Sequence, residues 1–242
     1  MAWFKDWFDS HYYHLLYNNR NEVEAAAFID KLLDFLHPKT PSRMLDLACG
    51  KGRHALQLAT KGHEVIGVDL SEQSILAARN LERDNLAFYT LDMRRPYMAG
   101  YFDYVFSFFT SFGYFDTERE DVQVFRAIAQ NLKPQGIFVL DFMNAIKVIR
   151  TLAPFGEKTA DNVHFQWHKR VENGFIYKKI EFTDAHQKEY SYEERVRAFH
   201  KEDINQLLQL AGMKPIAIFG NYELAPFDEI NSDRLIIVAQ KG

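Results

Sequence analysis

Asp46, Gly50, Gly52 and Asp69 are the residues of this 242-residue chain whose types and spacing could do chemistry together. The apolar run Met44-Leu45-Asp46-Leu47 breaks into Ala48-Cys49-Gly50-Lys51-Gly52, and a helical pattern begins at Arg53-His54. A strand, a glycine turn and a helix start in that order bring bare backbone N–H groups and a helix N-terminus to one ligand. A second strand, Val65-Ile66-Gly67-Val68-Asp69, closes on an acid roughly twenty residues further on, where a carboxylate can accept from both hydroxyls of a ribose. The combination reads as a nucleotide site. A dinucleotide fingerprint needs G-x-G-x-x-G, and the corresponding positions are Ala48, Gly50 and Arg53, so the third glycine that lets a pyrophosphate approach the helix is absent.

These residues must be positioned by alternating strands and helices. The pattern predicts strands at 43–48, 64–69, 86–90, 102–108 and 136–142, and helices at 53–61, stopped by Gly62, at 72–83, capped by Ser71, and at 118–132. Such alternation predicts an α/β, doubly wound, mostly parallel sheet with its ligand at the carboxyl ends of the strands. Val23, Ala26, Ala27, Leu32, Leu33 and Leu36 predict a helix over 21–36 that packs on the sheet and stops before Pro38 and Pro41. From about residue 155 the pattern changes. Three runs, 162–171, 174–184 and 188–199, hold β-branched and aromatic residues, and Asn173-Gly174 is a hairpin turn signal, so an antiparallel meander is expected, inserted before a helix at 202–210 and strands at 213–219 and 234–240. At the other end, Trp3, Phe4, Trp7 and Phe8 form one side of a helix that the protein itself should cover.

Composition narrows the function classes. A hydrophobic fraction of 47% and a charged fraction of 26% are those of a globular protein, and the length suits one elaborated α/β domain. A formal charge of −4 disfavours nucleic acid as partner, although a local basic patch escapes that argument. The basic clusters Arg94-Arg95, Lys169-Arg170, Lys178-Lys179 and Arg195 with Arg197 read as solvated faces. The single cysteine, Cys49, points to a reducing compartment. No run approaches the ~20 apolar residues of a membrane span, and charges break the N-terminal segment too early for a secretory signal, so a cytoplasmic location is expected. His164, His168 and His186 are too widely spaced for a metal site, and none is expected.

The turn resembles the first motif of the seven-stranded, class I S-adenosylmethionine-dependent methyltransferases, L-D-x-G-x-G-x-G. Asp46, Gly50 and Gly52 match it, whereas Ala48 stands where that family most often has its first glycine, which implies weaker but not absent binding. The resemblance covers most of 40–145 and the C-terminal forty or so residues. It implies a seven-stranded sheet whose last strand is antiparallel, with the meander as a lid over the substrate. It makes S-adenosyl-L-methionine the cofactor. Asp69 matches the ribose acid, Leu70 would flank the adenine, Asp92 with Met93 match the adenine-binding position, and Leu132-Lys133-Pro134-Gln135-Gly136 matches the turn before the fifth strand. Asp46 would hold the turn or meet the cofactor's ammonium, and Arg53 could pair with its carboxylate, although solvation is the simpler reading for Arg53 and His54. The aromatic run after the fourth strand lies where the family reaches its substrate, and it lacks the N-P-P-Y type signature; Phe108 could stand against the cofactor, and Phe106 and Phe108 read equally as core.

Residues 1–38 would then be a helical lid, 40–155 and 200–242 the cofactor-binding core, and 156–199 an insertion, all in one domain. In Ser10–Tyr17 a tyrosine, Tyr13 or Tyr17, would touch the cofactor, and His14 could take a proton; no catalytic residue is assigned beyond the candidates Tyr13 and His14. The expected reaction is methyl transfer to an oxygen, nitrogen or carbon of a small molecule, by a monomer or homodimer. The rivals are an NAD(P)-dependent oxidoreductase, a non-catalytic S-adenosylmethionine-binding protein and an RNA methyltransferase.

Overall fold

Short runs rich in Val, Ile and Phe alternate with amphipathic segments from residue 43 onward, and the two kinds of segment separate into sheet and helix in the computed structural model, which describes residues 3–17 and 22–242. Three helices come first: α1 (Trp3–Phe8), α2 (His11–Leu16) and α3 (Glu22–Leu36). Then follow β1 (Arg43–Leu47), α4 (Arg53–Thr60), β2 (Glu64–Asp69), α5 (Glu72–Ala78) running into a 3₁₀ turn at Arg79–Leu81, β3 (Leu86–Thr90), β4 (Phe102–Ser107), α6 (Glu118–Asn131), β5 (Leu132–Met143) and α7 (Ala145–Arg150). The chain continues through β6 (Phe155–Ala160), β7 (Val163–Glu172), β8 (Phe175–Thr183) and β9 (Glu189–Arg197), and ends with α8 (Lys201–Leu210), β10 (Met213–Phe219) and β11 (Arg234–Lys241).

Seven strands form one sheet in the order β10-β11-β5-β4-β1-β2-β3, and the chain-terminal β11 runs antiparallel to both its neighbours. The direction of winding reverses between β1 and β4, which leaves a crevice at their carboxyl ends. One face is covered by α6 and α8 through Val124, Phe125, Ile128, Ile204 and Leu208, the other by α3, α4 and α5 through Phe28, Ile29, Leu58 and Ile75. Helix ends are satisfied locally. The Ser71 hydroxyl accepts from the Ser74 amide at the start of α5, and Thr117 with Glu120 closes a capping box on α6. Among the described residues no helix is long and apolar enough to cross a membrane.

Three differences from expectation have physical reasons. α3 buries Ala25, Phe28, Ile29 and Leu32, a stripe at i, i+3, i+4, i+7, whereas Val23 is 74% exposed and Ala27 is exposed; the bulkier Phe28 and Ile29 decide which face meets the sheet. The second sheet has four strands, β6-β7-β8-β9, and not three. β6 escaped notice because its apolar content is low, yet Asp161 and Asn162, both at positive φ, make a two-residue hairpin as tight as Asn173-Gly174. The short α7 was not anticipated.

The Phe88 ring of β3 occupies the space that side chains would need at Gly52 and Gly67: a Cβ on either would lie 2.5 Å from it. Close approach at both glycines lets β2, β3 and the turn after β1 share one aromatic ring. Gly67→Ala is expected to cost about 1–3 kcal/mol through overpacking, with part of the loss recovered in Gly67→Ala/Phe88→Leu. Urea denaturation of the two variants checks this, and additive losses would count against the shared ring.

Candidate functional site

β1 ends at Leu47 and the chain turns with three left-handed residues, Ala48 (φ 60°), Gly50 (φ 56°) and Gly52 (φ 83°). At Ala48 that conformation costs about 1–2 kcal/mol relative to right-handed backbone, which is the physical content of the departure from glycine. The turn is pinned to the next strand by Cys49 N–H donating to the Val68 carbonyl at 3.0 Å and Gly50 N–H donating to Asp69 Oδ2 at 2.8 Å. The other Asp69 oxygen accepts from the Ser71 amide at 2.8 Å. Burial pushes the Asp69 carboxyl above the usual range, and the amides of Ser71, Gly50 and Leu70 oppose it. Around the Gly50 Cα there is open space, with no atom within 4 Å of where a Cβ would stand. Behind the turn, Asp46 is 1% exposed and its Oδ2 has no hydrogen-bond partner among the described residues. Burial, with Asp69 adding, pushes its carboxyl up to about 7, and the Ala55 amide and Arg53 hold it from going further.

A cavity of about 690 Å³ opens over this turn, within the range of small-molecule sites. Ala48, Gly50, Arg53, Asp69, Leu70, Asp92, Met93 and Phe108 line it, as do Tyr13, His14 and Tyr17 from the N-terminal helices. Asp46 and Gly52 do not; they shape the turn from behind. The Asp92 carboxylate is gripped by Arg94, at 3.0 Å to Nε, and Arg94 also reaches Glu120 at 2.7 Å. Burial would raise Asp92, but the hydrogen bonds and charge of Arg94, with Arg95, hold it below the usual carboxylate range. His54 is not solvated, as its place at a helix start suggested. It is buried, with its ring centroid 4.6 Å from that of Phe108. Among the described residues no three His, Cys, Asp or Glu side chains are grouped to hold a metal ion.

The loop after β4 forms the far wall. Phe109 and Thr110 are both left-handed (φ 59°), two consecutive strained residues that need external support. Asp141, near the end of β5, supplies it. Its Oδ2 accepts from the Phe109 amide at 2.8 Å and the Tyr222 hydroxyl at 3.1 Å, its Oδ1 accepts from Arg234 Nε at 2.7 Å, and its carbonyl accepts from the Thr110 amide. Arg234 also donates to the Thr110 hydroxyl at 3.1 Å. Asp141 is 1% exposed and Arg234 16%. The loop's other end is held by β9, where the Arg197 amide donates to the Gly113 carbonyl at 2.8 Å and the Arg197 guanidinium lies 3.1 Å from Asp121 of α6. Arg195 pairs with Asp116, so Arg195 and Arg197 are partnered rather than solvated. Sequence reasoning missed Asp141 and Arg234. The signal was an acid inside an apolar strand, Val139-Leu140-Asp141-Phe142.

Phe4, Phe8, Tyr13, Tyr17, Tyr114 and Phe115 make the cavity's outer end aromatic. No described residue of the second sheet lines the cavity. That sheet supports the helices that do: Trp7 Nε1 donates to Glu194 at 2.7 Å, the Tyr12 hydroxyl to Asp184 at 3.1 Å and the Tyr17 hydroxyl to Glu194 at 2.7 Å. The aromatic side of α1 is thus covered by the protein, Trp7 against Tyr192 and Phe4 against Phe115.

Two outcomes follow from the buried charges. A carboxyl whose pKa is raised by folding destabilises the fold when ionised, a cost absent near pH 4 and complete once pH has passed the folded value of about 7. Asp46→Asn should therefore raise stability at pH 8 by on the order of 2–4 kcal/mol and leave it unchanged near pH 4; melting curves at the two pH values decide, and equal shifts would refute the assignment. Arg234→Leu should cost about 3–5 kcal/mol by stranding Asp141, and Asp141→Leu/Arg234→Leu should cost less than the sum of the single changes, as read by urea denaturation.

Known proteins resemble this chain in sequence and fold. The family described as "Methyltransferase domain" matches residues 44–136, from β1 through the turn before the regular part of β5. YqeM of Bacillus subtilis (strain 168), named only as a candidate methyltransferase, is 26% identical over 92% of this chain and 94% of its own. The dTDP-3-amino-3,4,6-trideoxy-alpha-D-glucopyranose N,N-dimethyltransferase of Streptomyces venezuelae is 32% identical over 53% of this chain and 54% of its own. The crystal structure of an S-adenosylmethionine-dependent methyltransferase from Clostridium acetobutylicum ATCC 824 superposes with a TM-score of 0.80 at 22% identity, covering 96% of both chains. With the fold, the glycine turn and these likenesses in agreement, the chain is a class I S-adenosylmethionine-dependent methyltransferase.

Proposed function

We propose that the enzyme methylates an oxygen, nitrogen or carbon of a small molecule held in the aromatic end of the cavity, beneath α1 and α2. The observation that carries this reading is one cavity whose wall includes both the glycine turn with Asp69 and Asp92 and the aromatic rings of Phe4, Phe8 and Tyr114. A donor and an acceptor can therefore share one water-poor space. The bound cofactor supplies a methyl group on a positively charged sulfur, which leaves as a neutral thioether. Little covalent assistance is needed, and the protein's task is alignment and exclusion of water.

The residues at the inner end fit the cofactor. Open space at Gly50 admits a ligand against the backbone, and Asp46, behind the cavity wall, would hold the turn. Ala48 and Gly52 shape the turn, and Arg53, at the start of α4, would face the cofactor's carboxylate. Asp69 would take the ribose hydroxyls while keeping the Gly50 and Ser71 amides. Leu70 and Phe108 would flank the nucleoside, and Asp92 with the Met93 amide would read the adenine edge. At the outer end, aromatic faces suit the C–H faces of a sugar or a flat ring. Streptomyces venezuelae's relative is named for an amino sugar, which gives nitrogen the first place among acceptor atoms. Tyr13 and His14 are the wall's candidates for contact with a transferred proton. In this reading residues 40–155 and 200–242 are the cofactor core, 1–38 the lid and 156–199 an insertion that carries the lid, within one domain acting in the reducing cytoplasm as a monomer or homodimer.

Calorimetric titration with S-adenosylhomocysteine and, separately, with NAD tests the donor. Binding of the first and not the second is expected; the reverse would overturn the reading. Asp69→Ala should weaken S-adenosylhomocysteine by on the order of 1.5–3 kcal/mol, roughly 10- to 150-fold, and unchanged affinity would remove the ribose role. A screen with labelled methyl donor then identifies the acceptor.

A further inference from the structure

The second sheet turns one face to α1 and α2, and the two-residue period of its strands fixes which side chains share that face. Phe165 of β7 and Ile180 and Phe182 of β8 lie on it with Trp7, Leu15 and Leu16. The same period carries Lys158 of β6, whose Nζ donates to the Leu16 carbonyl at 2.6 Å, Lys169 of β7 and Lys178 of β8 onto the face. Lys169 and Lys178 stand directly opposite each other in the strand register, an arrangement that destabilises a sheet when both are charged.

Counter-charge beside Lys169 and Lys178 comes from Glu194 among the described residues. Glu194 of β9 stands opposite Lys178, but its carboxylate is taken by Trp7 Nε1 and the Tyr17 hydroxyl. On the outer face, by contrast, Lys179 pairs with Glu181 and Arg170 with Glu172 and Glu193, whereas neither Lys169 nor Lys178 forms a salt bridge among the described residues. Lys178 Nζ sits 4.4 Å from the Trp167 ring centroid and donates to the Tyr17 hydroxyl at 2.8 Å. Burial brings this ammonium down to about 8, with Glu194 opposing and Lys169 and Lys158 adding to the fall. Tyr17, its hydrogen-bond partner, lines the cavity. Through Tyr17, Lys178 therefore adjoins the wall of the cavity.

We infer that Lys169 and Lys178 form a site for an anionic group, a phosphate or a carboxylate, carried by the methyl acceptor. An anion between the opposed ammonium groups removes their repulsion and gains charge-assisted hydrogen bonds. It would also fix which end of the acceptor points toward the methyl donor. This assignment rests on the reading of the outer cavity as the acceptor site.

The test is calorimetry on the full chain saturated with S-adenosylhomocysteine, titrated with pyrophosphate in one arm and citrate in the other, in a buffer free of multivalent anions. At least one anion should bind saturably, with affinity at least tenfold weaker in Lys169→Ala and in Lys178→Ala and unchanged in Lys214→Ala on the distant edge strand β10. Binding of pyrophosphate alone assigns a phosphate, of citrate alone a carboxylate, and of both a site for either. No saturable binding, or equal binding by wild type and Lys169→Ala, overturns the inference; Lys169→Ala keeps the test valid should Lys178→Ala fail to fold. Failure of S-adenosylhomocysteine itself to bind would instead sink the donor assignment, and the anion titration of the bare protein would still judge the lysines.

Discussion

The Asp69 carboxylate holds the Gly50 amide with one oxygen and the Ser71 amide with the other, and the geometry of the whole cofactor end depends on that double contact. It ties the turn after β1 to the start of α5 through the tip of β2, three elements that hydrophobic packing alone would leave free to slide. The turn accepts left-handed backbone at Ala48, Gly50 and Gly52, and the bonds to Asp69 and Val68 offset part of that strain. Burying a carboxylate in such a place is unfavourable, and the direction of the Asp69 shift records it. Asp46, just behind, carries the same penalty without a full set of partners. Two acids, both raised by burial, thus meet at one turn, and the bonds that Asp69 accepts are what keep its position fixed.

The opposite wall uses a buried ion pair for a similar end. Asp141 and Arg234 come from adjacent antiparallel strands, and their side chains meet below Phe109 and Thr110, whose left-handed backbone would relax without them. Because both charges are nearly withdrawn from water, the pair is a weak source of net stability and a strong source of geometry: it penalises every loop conformation that leaves Asp141 unbonded. Arg197 acts at the loop's other end from a different sheet. The loop after β4 is thus defined by residues distant in sequence, Asp141, Arg234 and Arg197, none of which lines the cavity.

That distribution explains what could be read from the sequence. The sheet, its switch point and the cofactor turn were legible because they depend on local periods: the two-residue and 3.6-residue patterns, the glycines at 50 and 52, and an acid at a strand end. The meander's hairpin at Asn173-Gly174 was legible for the same reason. Asp141 with Arg234, and Arg197 with Asp121, were not, since a pair separated by 93 or 76 positions leaves no mark on either local pattern. His54 and α3 failed differently. Both required knowing which neighbour arrives from elsewhere, Phe108 for His54 and the sheet for Phe28 and Ile29, and the weaker local pattern gave way to the larger buried area.

The second sheet shows how a fold can govern a cavity that it does not line. Trp7 and Tyr17 donate to Glu194 of β9 and Tyr12 donates to Asp184 after β8, so α1 and α2 are carried on that sheet as a unit. These helices are six residues each, too short to be stable alone. Whatever fixes the inner face therefore fixes Phe4, Phe8 and Tyr13 over the cavity. The opposed lysines on that face are unfavourable for the sheet by itself, and their place beside Tyr17 makes the charge balance of the sheet and the position of the cavity's outer wall one physical problem.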